Sequence, residues 1–496
     1  MCKFFSYFLS MSLFVAALHV SAAVPLVLSD ATLEGTETIV TAVGNIEIEH
    51  NYPTDSSSAV LFDLMDIQRA SQAYMWATPL IGFASWKNEQ AKSYDADKFG
   101  DFVIFRSLNE KRGIVTANLT TPYIIGFMNL EKAPILIDYP AGNTIGGVLD
   151  VWQRPIGSFG MAGSDKGKGG KYLVVGPKDD PLKYSKQEVI VIQSPSNNIF
   201  LGLRIIDRDP LFTAKFESSL KISYLGDKPV ASRFIKGLDR AWSATPPRGL
   251  AYWRLLAEII NEEPVRDVDK IMMAMLAPLG VEKGKPFNPD NRQTQILNEG
   301  AVLGELFTRN IQVNPRYSQP YWKETSWYKS FDFGTSQQTD VTLQLDERAT
   351  WFYEAVTSSE GMVNPKVGSG QVYMTTKRDN NGQLLRADQT YRLHVPANVP
   401  VKQFWSLTLY SEQTRRPYDN GGTDISSVSL DSRMKQLQFN RDGSIDLYVG
   451  VKPPKGLENN FLKTVGEDGW FPYFRLYAPT EPFFDKSFSL PDLEIQ

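Results

Sequence analysis

The amino-acid sequence predicts an α+β protein that is mainly β, with a helical connector between two β-rich domains. Short runs of β-branched and aromatic residues, separated by Gly, Pro, Asn and Asp, occupy residues 102–216 and return from about residue 341 onward. This pattern is typical of antiparallel strands and turns. Between the two regions, apolar residues recur at helical spacing. After a leader we therefore predict a β-rich N-terminal domain with an early helix (24–240), a helical connector (241–312) and a C-terminal antiparallel β-sandwich or jelly-roll domain (313–496).

The first 23 residues have the features of a secretory signal peptide. Lys3 precedes an apolar run from Phe8 to Val20, and the small residues Ser21–Ala23 follow it. The run is shorter than the roughly 20 residues that cross a bilayer, so we expect cleavage after Ala23 and export to the periplasm or the medium. An uncleaved membrane anchor is the alternative interpretation. No later segment of the sequence is long and apolar enough for a membrane span.

Cleavage would leave a composition that excludes several kinds of chemistry. The leader contains Cys2, His19 and one of the 52 basic residues, so 51 basic residues remain against 56 acidic ones and the net charge becomes −5. This charge gives no electrostatic reason to bind nucleic acid or an anionic membrane. Without cysteine, disulfides, thiolate nucleophiles and cysteine–zinc sites are excluded. Only His50 and His394 remain, and a two-histidine metal site would need both in one place. We therefore expect no metal and no cofactor.

Four segments have the apolar spacing of helices. Residues 56–79 carry an apolar stripe on one face. A second stripe starts at Leu250 and stops before Pro264, and a third helix follows it. The fourth helix contains Gly300 and Gly304 at a spacing that dimerises membrane helices, but polar residues interrupt this segment. We interpret the two glycines as positions of close backbone packing in a soluble core.

Strands return in the C-terminal region with regular alternation of apolar and polar residues. The clearest examples are residues 341–345, 391–395 and 445–451, and the Asp442-Gly443 pair before the last of them predicts a hairpin turn. Strands at this spacing are typical of a sandwich or a jelly roll.

The strand from Phe404 to Tyr410 has one apolar face and one amphipathic face. Trp405, Leu407 and Leu409 point to one side of the strand, and Tyr410 points to the other. The same parity places four more residues on amphipathic faces: Asp446, Tyr448, Arg475 and Tyr477. An exposed sheet surface is one interpretation. The other is a shared concavity, because aromatic edges and a bidentate arginine suit a sugar, a carboxylate or a sulfate group.

Five ordered blocks in the C-terminal region carry a family resemblance: Phe404–Tyr410, Asn440–Asp446, Asn459–Leu462, Arg475–Pro479 and Leu490–Pro491. This region resembles the family called domain of unknown function 1214. Residues 74–204 resemble its usual N-terminal companion, domain of unknown function 1254, through Asn118–Tyr123, Asp150 with Trp152, the glycine-rich loop 157–170 and Gly176-Pro177. The resemblance implies an exported two-domain protein that is largely β.

Two departures from the family pattern are visible. Thr120 stands where the companion family usually has an aspartate, and Asn460-Phe461 stands where a tryptophan is expected. An acid or metal-binding role of that aspartate elsewhere in the family therefore does not extend to this chain.

Two residues are candidates for acid–base catalysis. Asp150 is chosen through the resemblance, with a carboxylate that caps a turn as the alternative. His394 lies in a predicted strand, where a histidine on an exposed face is the alternative. No G-x-S-x-G nucleophile elbow is present, and the glycine-rich loop lacks phosphate-loop spacing, so we interpret it as a turn between strands. The candidate ligand-binding residues are Asn118, Thr121, Tyr123, Trp152, Arg204, Tyr410, Asp446, Tyr448, Arg475 and Tyr477.

Three functions remain open. The preferred one is an exported protein that binds a small organic ligand, such as a sugar, a carboxylate or an amphiphile, between the two β domains. The second is a metal-independent hydrolase of an ester, a sulfate ester or a glycoside. The third is a structural envelope protein, and a homo-oligomer is open for each. A pocket lined by Asn118, Tyr410 and Arg475 would favour the first two functions.

Overall fold

The computed structural model of this protein describes residues 31–41, 43–207, 209–237 and 240–496. The predicted signal peptide, residues 1–23, lies outside the described residues. The chain divides into two units, residues 1–65 and 66–496. In the first unit, three antiparallel strands form one sheet: β1 (Glu37–Thr41), β2 (Gly44–Glu49) and β3 (Tyr52–Pro53). Ile39, Ile46 and Ile48 form its small apolar core.

Helix α1 (Asp55–Tyr94) is longer than predicted because it continues through Pro79. Proline has no backbone N–H, so the carbonyl of Met75 loses its helical donor. The hydroxyl of Thr78 donates to this carbonyl at 3.0 Å and replaces the missing bond. The Pro79 carbonyl itself accepts a hydrogen bond from Gln153 Nε2 at 2.7 Å.

The strands that follow α1 form two sheets with a common core. They are β4 (Asp101–Phe105), β5 (Tyr123–Asn129), β6 (Ile135–Tyr139), β7 (Thr144–Asp150), β8 (Pro155–Gly160), β9 (Gly170–Val175), β10 (Ile190–Gln193), β11 (Asn198–Ile205), β12 (Lys221–Tyr224), β13 (Val230–Ala231) and β14 (Arg233–Lys236). One sheet has the order β14-β4-β5-β11-β7-β8, and the other has the order β10-β9-β6-β12-β13. Ile104 and Leu201 of the first sheet belong to the same buried cluster as Ile137 and Tyr172 of the second.

Most of the described strand pairs in these two sheets are antiparallel, as predicted, and the parallel pairs in them are β4–β14 and β9–β10. Two helices connect strands here, α2 (Leu108–Lys111) and α3 (Pro210–Ser219). The glycine-rich loop connects β8 to β9, which confirms the predicted turn.

The helices predicted after residue 250 are present as α4 (Leu250–Glu262), α5 (Lys270–Leu276) and α6 (Asn291–Val313). Gly300 and Gly304 of α6 pack directly on α1. A Cβ atom on Gly300 would lie 2.2 Å from the Cβ of Ala70, and one on Gly304 would lie 2.6 Å from the Cβ of Tyr74. The prediction of close backbone packing is therefore confirmed.

The C-terminal strands also form two sheets. They are β15 (Tyr328–Lys329), β16 (Gln371–Thr375), β17 (Tyr391–Val395), β18 (Trp405–Ser411), β19 (Ser429–Asp431), β20 (Ile445–Gly450), β21 (Phe461–Lys463), β22 (Trp470–Tyr477) and β23 (Glu494–Ile495). The sheet orders are β15-β16-β22-β18-β19 and β21-β20-β17-β23. Leu407 and Phe474 of the first sheet share a core with Leu393 and Leu447 of the second. The helices of this region are α7 (Leu345–Glu354), α8 (Glu360–Val363) and α9 (Glu481–Phe484).

Helices hold 28% of the residues and strands 26%. The predicted combination of helices and strands is confirmed, but the protein is not mainly β, because helices contribute more than a single connector. The alternation at residues 341–345 predicts a strand, but α7 begins at Leu345 because Asp346 and Glu347 stabilise a helix N-terminus. The turn at Asp442-Gly443 is present, whereas residues 437–439 before it form no strand. None of the described helices has an apolar stretch long enough to cross a bilayer.

Candidate functional site

A loop from the N-terminal half lies on one face of the sheet β15-β16-β22-β18-β19. We call residues Thr116–Thr121 the crossing loop. Tyr373, Arg475 and Ser406 lie side by side on β16, β22 and β18, beneath this loop. Tyr410 and Tyr477 lie on the same face, as the alternation predicts. The face is not exposed to solvent, however, because the crossing loop and α7 cover it.

Arg475 is the central residue of this face. Its side chain is 1% exposed. The guanidinium carbon lies 4.6 Å from the ring centre of Tyr373, 4.9 Å from that of Tyr473 and 5.5 Å from that of Tyr410. We call Arg475, these three tyrosines, Ser406 and Tyr477 the Arg475 cluster. One guanidinium nitrogen donates a long hydrogen bond of 3.4 Å to the carbonyl of Thr116.

The Arg475 cluster contains buried polar atoms that lack a good hydrogen bond. Nε and Nη1 of Arg475 and Oγ of Ser406 are buried and make no hydrogen bond of good geometry. Weaker contacts remain, since Arg475 lies against the Tyr410 hydroxyl and Ser406 against the Tyr477 hydroxyl, and each lowers the pKa of that phenol. Arg475 and Ser406 are directly paired across β22 and β18. Both side chains therefore start from neighbouring positions on the same face of the sheet.

No carboxylate in the described part of the chain forms an ion pair with Arg475. Glu354 accepts a hydrogen bond from the Tyr473 hydroxyl, but its other oxygen is ion-paired with Lys377 at 2.8 Å. Burial raises the pKa of the Tyr410, Tyr473 and Tyr477 hydroxyls well above neutrality. These phenols are therefore neutral at pH 7 and cannot balance the charge of Arg475.

Side chains of the sheet hold the crossing loop in place. The Tyr410 hydroxyl donates to the carbonyl of Ala117 at 2.7 Å. Nδ2 of Asn118 donates to the Tyr477 hydroxyl at 2.9 Å, and the Thr120 hydroxyl lies 2.9 Å from the same oxygen. Oδ1 of Asn118 accepts from both the backbone N–H and the hydroxyl of Thr120. Thr120, at the position of the usual aspartate, is thus part of the contact between loop and sheet.

Lys111 supports the crossing loop from the side of the N-terminal sheets. Its ammonium group donates to the carbonyls of Asn118, Leu119 and Thr121 at 3.2, 3.4 and 2.7 Å. The residue is fully buried, and burial lowers its pKa to about 7, with a smaller contribution from Arg204. Sequence reasoning missed Lys111, because nothing in its local sequence distinguishes it from an exposed lysine.

Arg204 and Tyr123 complete this side of the loop. Nη1 of Arg204 donates to the Thr121 hydroxyl at 3.0 Å, and its guanidinium lies 4.8 Å from the ring centre of Tyr123. The Tyr123 hydroxyl accepts from the backbone N–H of Asn118 at 2.8 Å. The structure therefore brings together seven of the predicted ligand-binding residues: Asn118, Thr121, Tyr123, Arg204, Tyr410, Arg475 and Tyr477.

Trp152 and Asp150 lie in a different place, at the turn between β7 and β8. Two guanidinium groups lie over the Trp152 ring, that of Arg266 at 4.3 Å and that of Arg348 at 5.0 Å from the ring centre. Asp150 is fully buried and ion-paired with Arg154 at 2.7 Å, and it also accepts from the Arg154 backbone N–H at 2.9 Å. These contacts match the alternative interpretation of Asp150 as a residue that stabilises a turn.

Asp446, Tyr448 and His394 lie on the second C-terminal sheet, on β20 and β17. Nδ1 of His394 lies 2.8 Å from Oδ1 of Asp446, and the two side chains are 37% and 21% exposed. Nδ2 of Asn440 donates to the other oxygen of Asp446 at 3.1 Å. The two predicted catalytic residues, Asp150 and His394, thus belong to different sheets and have different partners. Nowhere in the described ranges do three His, Cys, Asp or Glu side chains converge as a metal site.

Two family models match the chain. The model described as a protein of unknown function, DUF1254, matches residues 99–220, and the model described as a protein of unknown function, DUF1214, matches residues 370–481. Each model matches one region of this chain. They occur in the predicted order, and the resemblance in sequence is thereby confirmed. Asn118 and Tyr123 belong to the DUF1254 domain, and Tyr410 and Arg475 belong to the DUF1214 domain.

Solved structures with a similar chain are known. The VPA0106 protein from Vibrio parahaemolyticus has a TM-score of 0.52 at 16% identity, over 87% of this chain and 100% of that chain. An uncharacterized protein from Burkholderia cenocepacia has a TM-score of 0.39 at 12% identity, over 89% of this chain and 96% of that chain. The first similarity shows a shared fold. No curated protein matches this chain in sequence.

Proposed function

We propose that this protein binds a small organic ligand with a carboxylate or sulfate group at the Arg475 cluster, between the DUF1254 and DUF1214 domains. The observation that supports this proposal is the buried, unpaired guanidinium of Arg475. A buried charge without a counter-ion is strongly unfavourable, and a bidentate anion is the partner that a guanidinium fits best.

The atoms around Arg475 suit such an anion. Nε and Nη1 of Arg475 are free donors. Nε and Nη2 lie on the same edge of the guanidinium, so they can hold a carboxylate side by side once Nη2 releases the Thr116 carbonyl. The Ser406 hydroxyl is a third donor on the neighbouring strand. The tyrosine rings provide a rigid apolar wall for the carbon skeleton of the ligand.

The crossing loop is the segment that must move to admit the ligand. Its hydrogen bonds to the sheet come from Tyr410, Tyr477 and Arg475. The Thr116 N–H also donates to the Arg415 carbonyl at 2.7 Å, and Ala117 and Leu119 are buried in the core, so the movement must break these contacts too. Each such bond contributes about 0.5–1.5 kcal/mol, and the ligand would replace the long Arg475 contact with a shorter, charge-assisted one.

We prefer binding over hydrolysis because no pair of candidate catalytic side chains is assembled. Asp150 is neutralised by Arg154, and His394 is paired with Asp446 on another sheet. The substrate-binding half of a hydrolase would still resemble the proposed site, so a turnover assay belongs with the binding assay.

We also propose that the protein is exported and that its C-terminal domain is an antiparallel sandwich. A removable leader is supported by Lys3, by the apolar run from Phe8 to Val20 and by the small residues before Val24. The shared core of Leu407, Phe474, Leu393 and Leu447 supports an antiparallel sandwich in the C-terminal domain.

A thermal-shift experiment with variants tests the binding proposal. The melting temperature of purified protein is measured with increasing succinate, benzoate, sulfate or glucose, because a ligand of the folded state stabilises it by RT ln(1 + [L]/Kd). We expect one of the anions to raise the melting temperature in a saturable manner. Arg475→Met is expected to fold, because Met fills a similar volume without a charge, and to lose this shift.

Arg433→Met is the matched control. Arg433 also lies beside the DUF1214 sheet and stacks on Phe404 at 3.5 Å, but Asp431 already neutralises it at 3.0 Å. This variant is expected to keep the anion-dependent shift. An anion shift of equal size in Arg475→Met would refute the proposed site.

A further inference from the structure

The ammonium group of Lys111 is enclosed by the crossing loop. The residue is fully buried, and it donates to the carbonyls of Asn118, Leu119 and Thr121 at 3.2, 3.4 and 2.7 Å. An ammonium group has three N–H donors, so three carbonyls of one loop match its whole donor capacity. The segment that covers the Arg475 cluster therefore also covers this charge.

The groups that face Lys111 leave its charge poorly balanced. Arg204 on β11 is a second cation, and Tyr123 on β5 presents its ring, whose centre lies 5.2 Å from the ammonium nitrogen. Glu110 is the adjacent acid on α2, but its carboxylate accepts from the backbone N–H of Ser107 at 2.8 Å. Its electrostatic effect on Lys111 is smaller than that of Arg204. Lys111 is thus a desolvated cation that neutral carbonyls hold.

Such a cation is less stable in the closed protein than in water. Burial, and then Arg204, lower the pKa of Lys111 from 10.5 to about 7. When the loop moves away, water reaches the ammonium group and the pKa returns toward its usual value. Between the two values the open form therefore binds more protons than the closed form, so opening becomes less favourable as the pH rises. Below about pH 7 both forms are protonated and this dependence ends.

We propose that opening of the crossing loop is coupled to protonation of Lys111, so that the loop stays closed over the Arg475 cluster at alkaline pH and opens as the ammonium group takes up a proton. This inference rests on the proposed function for what the opening admits, namely an anion. An anion that binds only to the open form binds more weakly at higher pH, because its apparent affinity follows the open fraction.

Hydrogen–deuterium exchange of the protein without any ligand tests the coupling. The backbone N–H groups of Thr116, Asn118 and Thr120 are hydrogen-bonded in the closed loop, so their exchange reports its opening. Exchange is measured between about pH 6 and 9 and divided by the intrinsic rate at each pH. The opening constant is expected to fall close to tenfold per pH unit above about pH 7 and to be constant below it. The loop is also expected to exchange faster than β22, because its opening is local.

Lys111→Gln is the decisive variant, because its amide still donates to loop carbonyls but takes up no proton. It is expected to lose the pH dependence of loop exchange. Lys111→Met makes the same test if the glutamine variant does not fold. Lys132→Met is the matched control, since it removes an exposed lysine that pairs with Asp227 at 3.0 Å, and it is expected to keep the wild-type dependence.

Three results would overturn the coupling: an opening constant of the wild-type protein that is independent of pH, an unchanged dependence in Lys111→Gln, or loop exchange as slow as that of β22. Binding of succinate, benzoate and sulfate is measured separately by calorimetry at about pH 7 and 9. The anion that binds is expected to have an affinity at least tenfold lower at the higher pH, and equal affinities would also overturn the inference. If no anion binds at either pH, the proposed site is refuted, while the exchange data still decide the coupling, so the two failures are distinguishable.

Discussion

Arg475 and Ser406 are paired across β22 and β18, and buried polar atoms of both residues make no hydrogen bond of good geometry. Thr408 lies two residues further along β18 on the same face, and its hydroxyl is 2.8 Å from that of Ser429. Ser406 and Thr408 are both fully buried. One strand therefore contains a buried hydroxyl with a good hydrogen bond and one without.

This difference predicts effects of different size on the free energy of unfolding. Ser406→Ala is expected to change the free energy of unfolding by less than about 0.5 kcal/mol, because no hydrogen bond of good geometry is lost. Thr408→Val is expected to lower it by about 1–3 kcal/mol, because the Ser429 hydroxyl is left buried without a partner. Urea denaturation measures both. Equal losses would mean that Ser406 has a structural partner, and its proposed role as a ligand donor would be wrong.

Because Lys111 is buried, we expect the free energy of unfolding to depend on pH above neutrality. Burial, and then Arg204, lower its pKa from the usual 10.5 to about 7. Between these two values the unfolded state binds more protons than the folded state, so this group makes the free energy of unfolding rise with pH. Below about pH 7 its contribution is constant. Lys111→Met is expected to remove this rise in urea titrations carried out at several pH values.

The control for Lys111 is Lys132→Met. Lys132 lies in the same region but is exposed, and it pairs with Asp227 at 3.0 Å. This variant is expected to keep the rise in stability. A rise of wild-type size in Lys111→Met would show that another group titrates in this range.

Because Glu263 is buried, we expect the free energy of unfolding to change with pH in the opposite direction at lower pH. It ends α4 and accepts from the backbone N–H groups of Asn197 and Asn198, both at 2.7 Å. Burial raises its pKa from 4.5 to about 7, although these hydrogen bonds act against the increase. Between the two values the folded state binds more protons than the unfolded state, so the free energy of unfolding falls as the pH rises and is constant for this group above about pH 7.

Glu263→Gln tests this slope, because the amide does not titrate. The variant is expected to lose the fall in stability between about pH 4.5 and 7. Glu258→Gln, on the exposed face of the same helix, is expected to retain it. If the two variants have the same pH profile, the carboxylate of Glu263 does not carry the proton.

Strand alternation predicted correctly that Arg475 and Tyr477 lie on one face of their strand and that Tyr410 lies opposite Leu409 on its own strand, because the two-residue period is a property of each strand. It could not predict which strands pair with each other. Asp446 and Tyr448 therefore have the predicted parity but lie on the other sheet. The choice between an exposed and a buried face depends on the crossing loop, which is about 350 residues away in the chain.

The helices, too, could be predicted from the sequence only in part. Apolar spacing predicted α4 and α6, because each buries one stripe. The strand predicted at residues 341–345 was wrong because only Leu345 belongs to an element, α7, while Val341 and Leu343 lie in the loop before it, where Leu343 forms an isolated bridge with Gln338. α1 continues beyond Pro79 because the Thr78 hydroxyl replaces the missing backbone donor. The rule that proline ends a helix does not consider such a side-chain donor.

The predicted cleavage after Ala23 defines the N-terminus that we expect for the exported protein. When the full chain is expressed in a bacterium with an intact secretion system, protein from the periplasm or the medium is expected to begin at Val24. Intact-mass measurement identifies this end. Replacing Leu13, Val15 and Leu18 by Asp is expected to keep the chain in the cytoplasm with its leader attached. A secreted chain that retains residues 1–23 would contradict cleavage.

The contact of α6 with α1 predicts an unusual sign for a glycine substitution. Gly→Ala in an exposed helix normally stabilises a protein by about 0.5–1 kcal/mol. Gly300→Ala is expected to destabilise this protein by about 1–3 kcal/mol instead, because the new methyl group would lie 2.2 Å from the Cβ of Ala70 and the helices must separate. Gly361→Ala is the matched control, since Gly361 is exposed on α8 and its new Cβ meets only the Cα of Gly370 at 3.6 Å. Urea denaturation of the two variants should give shifts of opposite sign, and a stabilising effect at both positions would mean that α1 and α6 are further apart than the glycine contact requires.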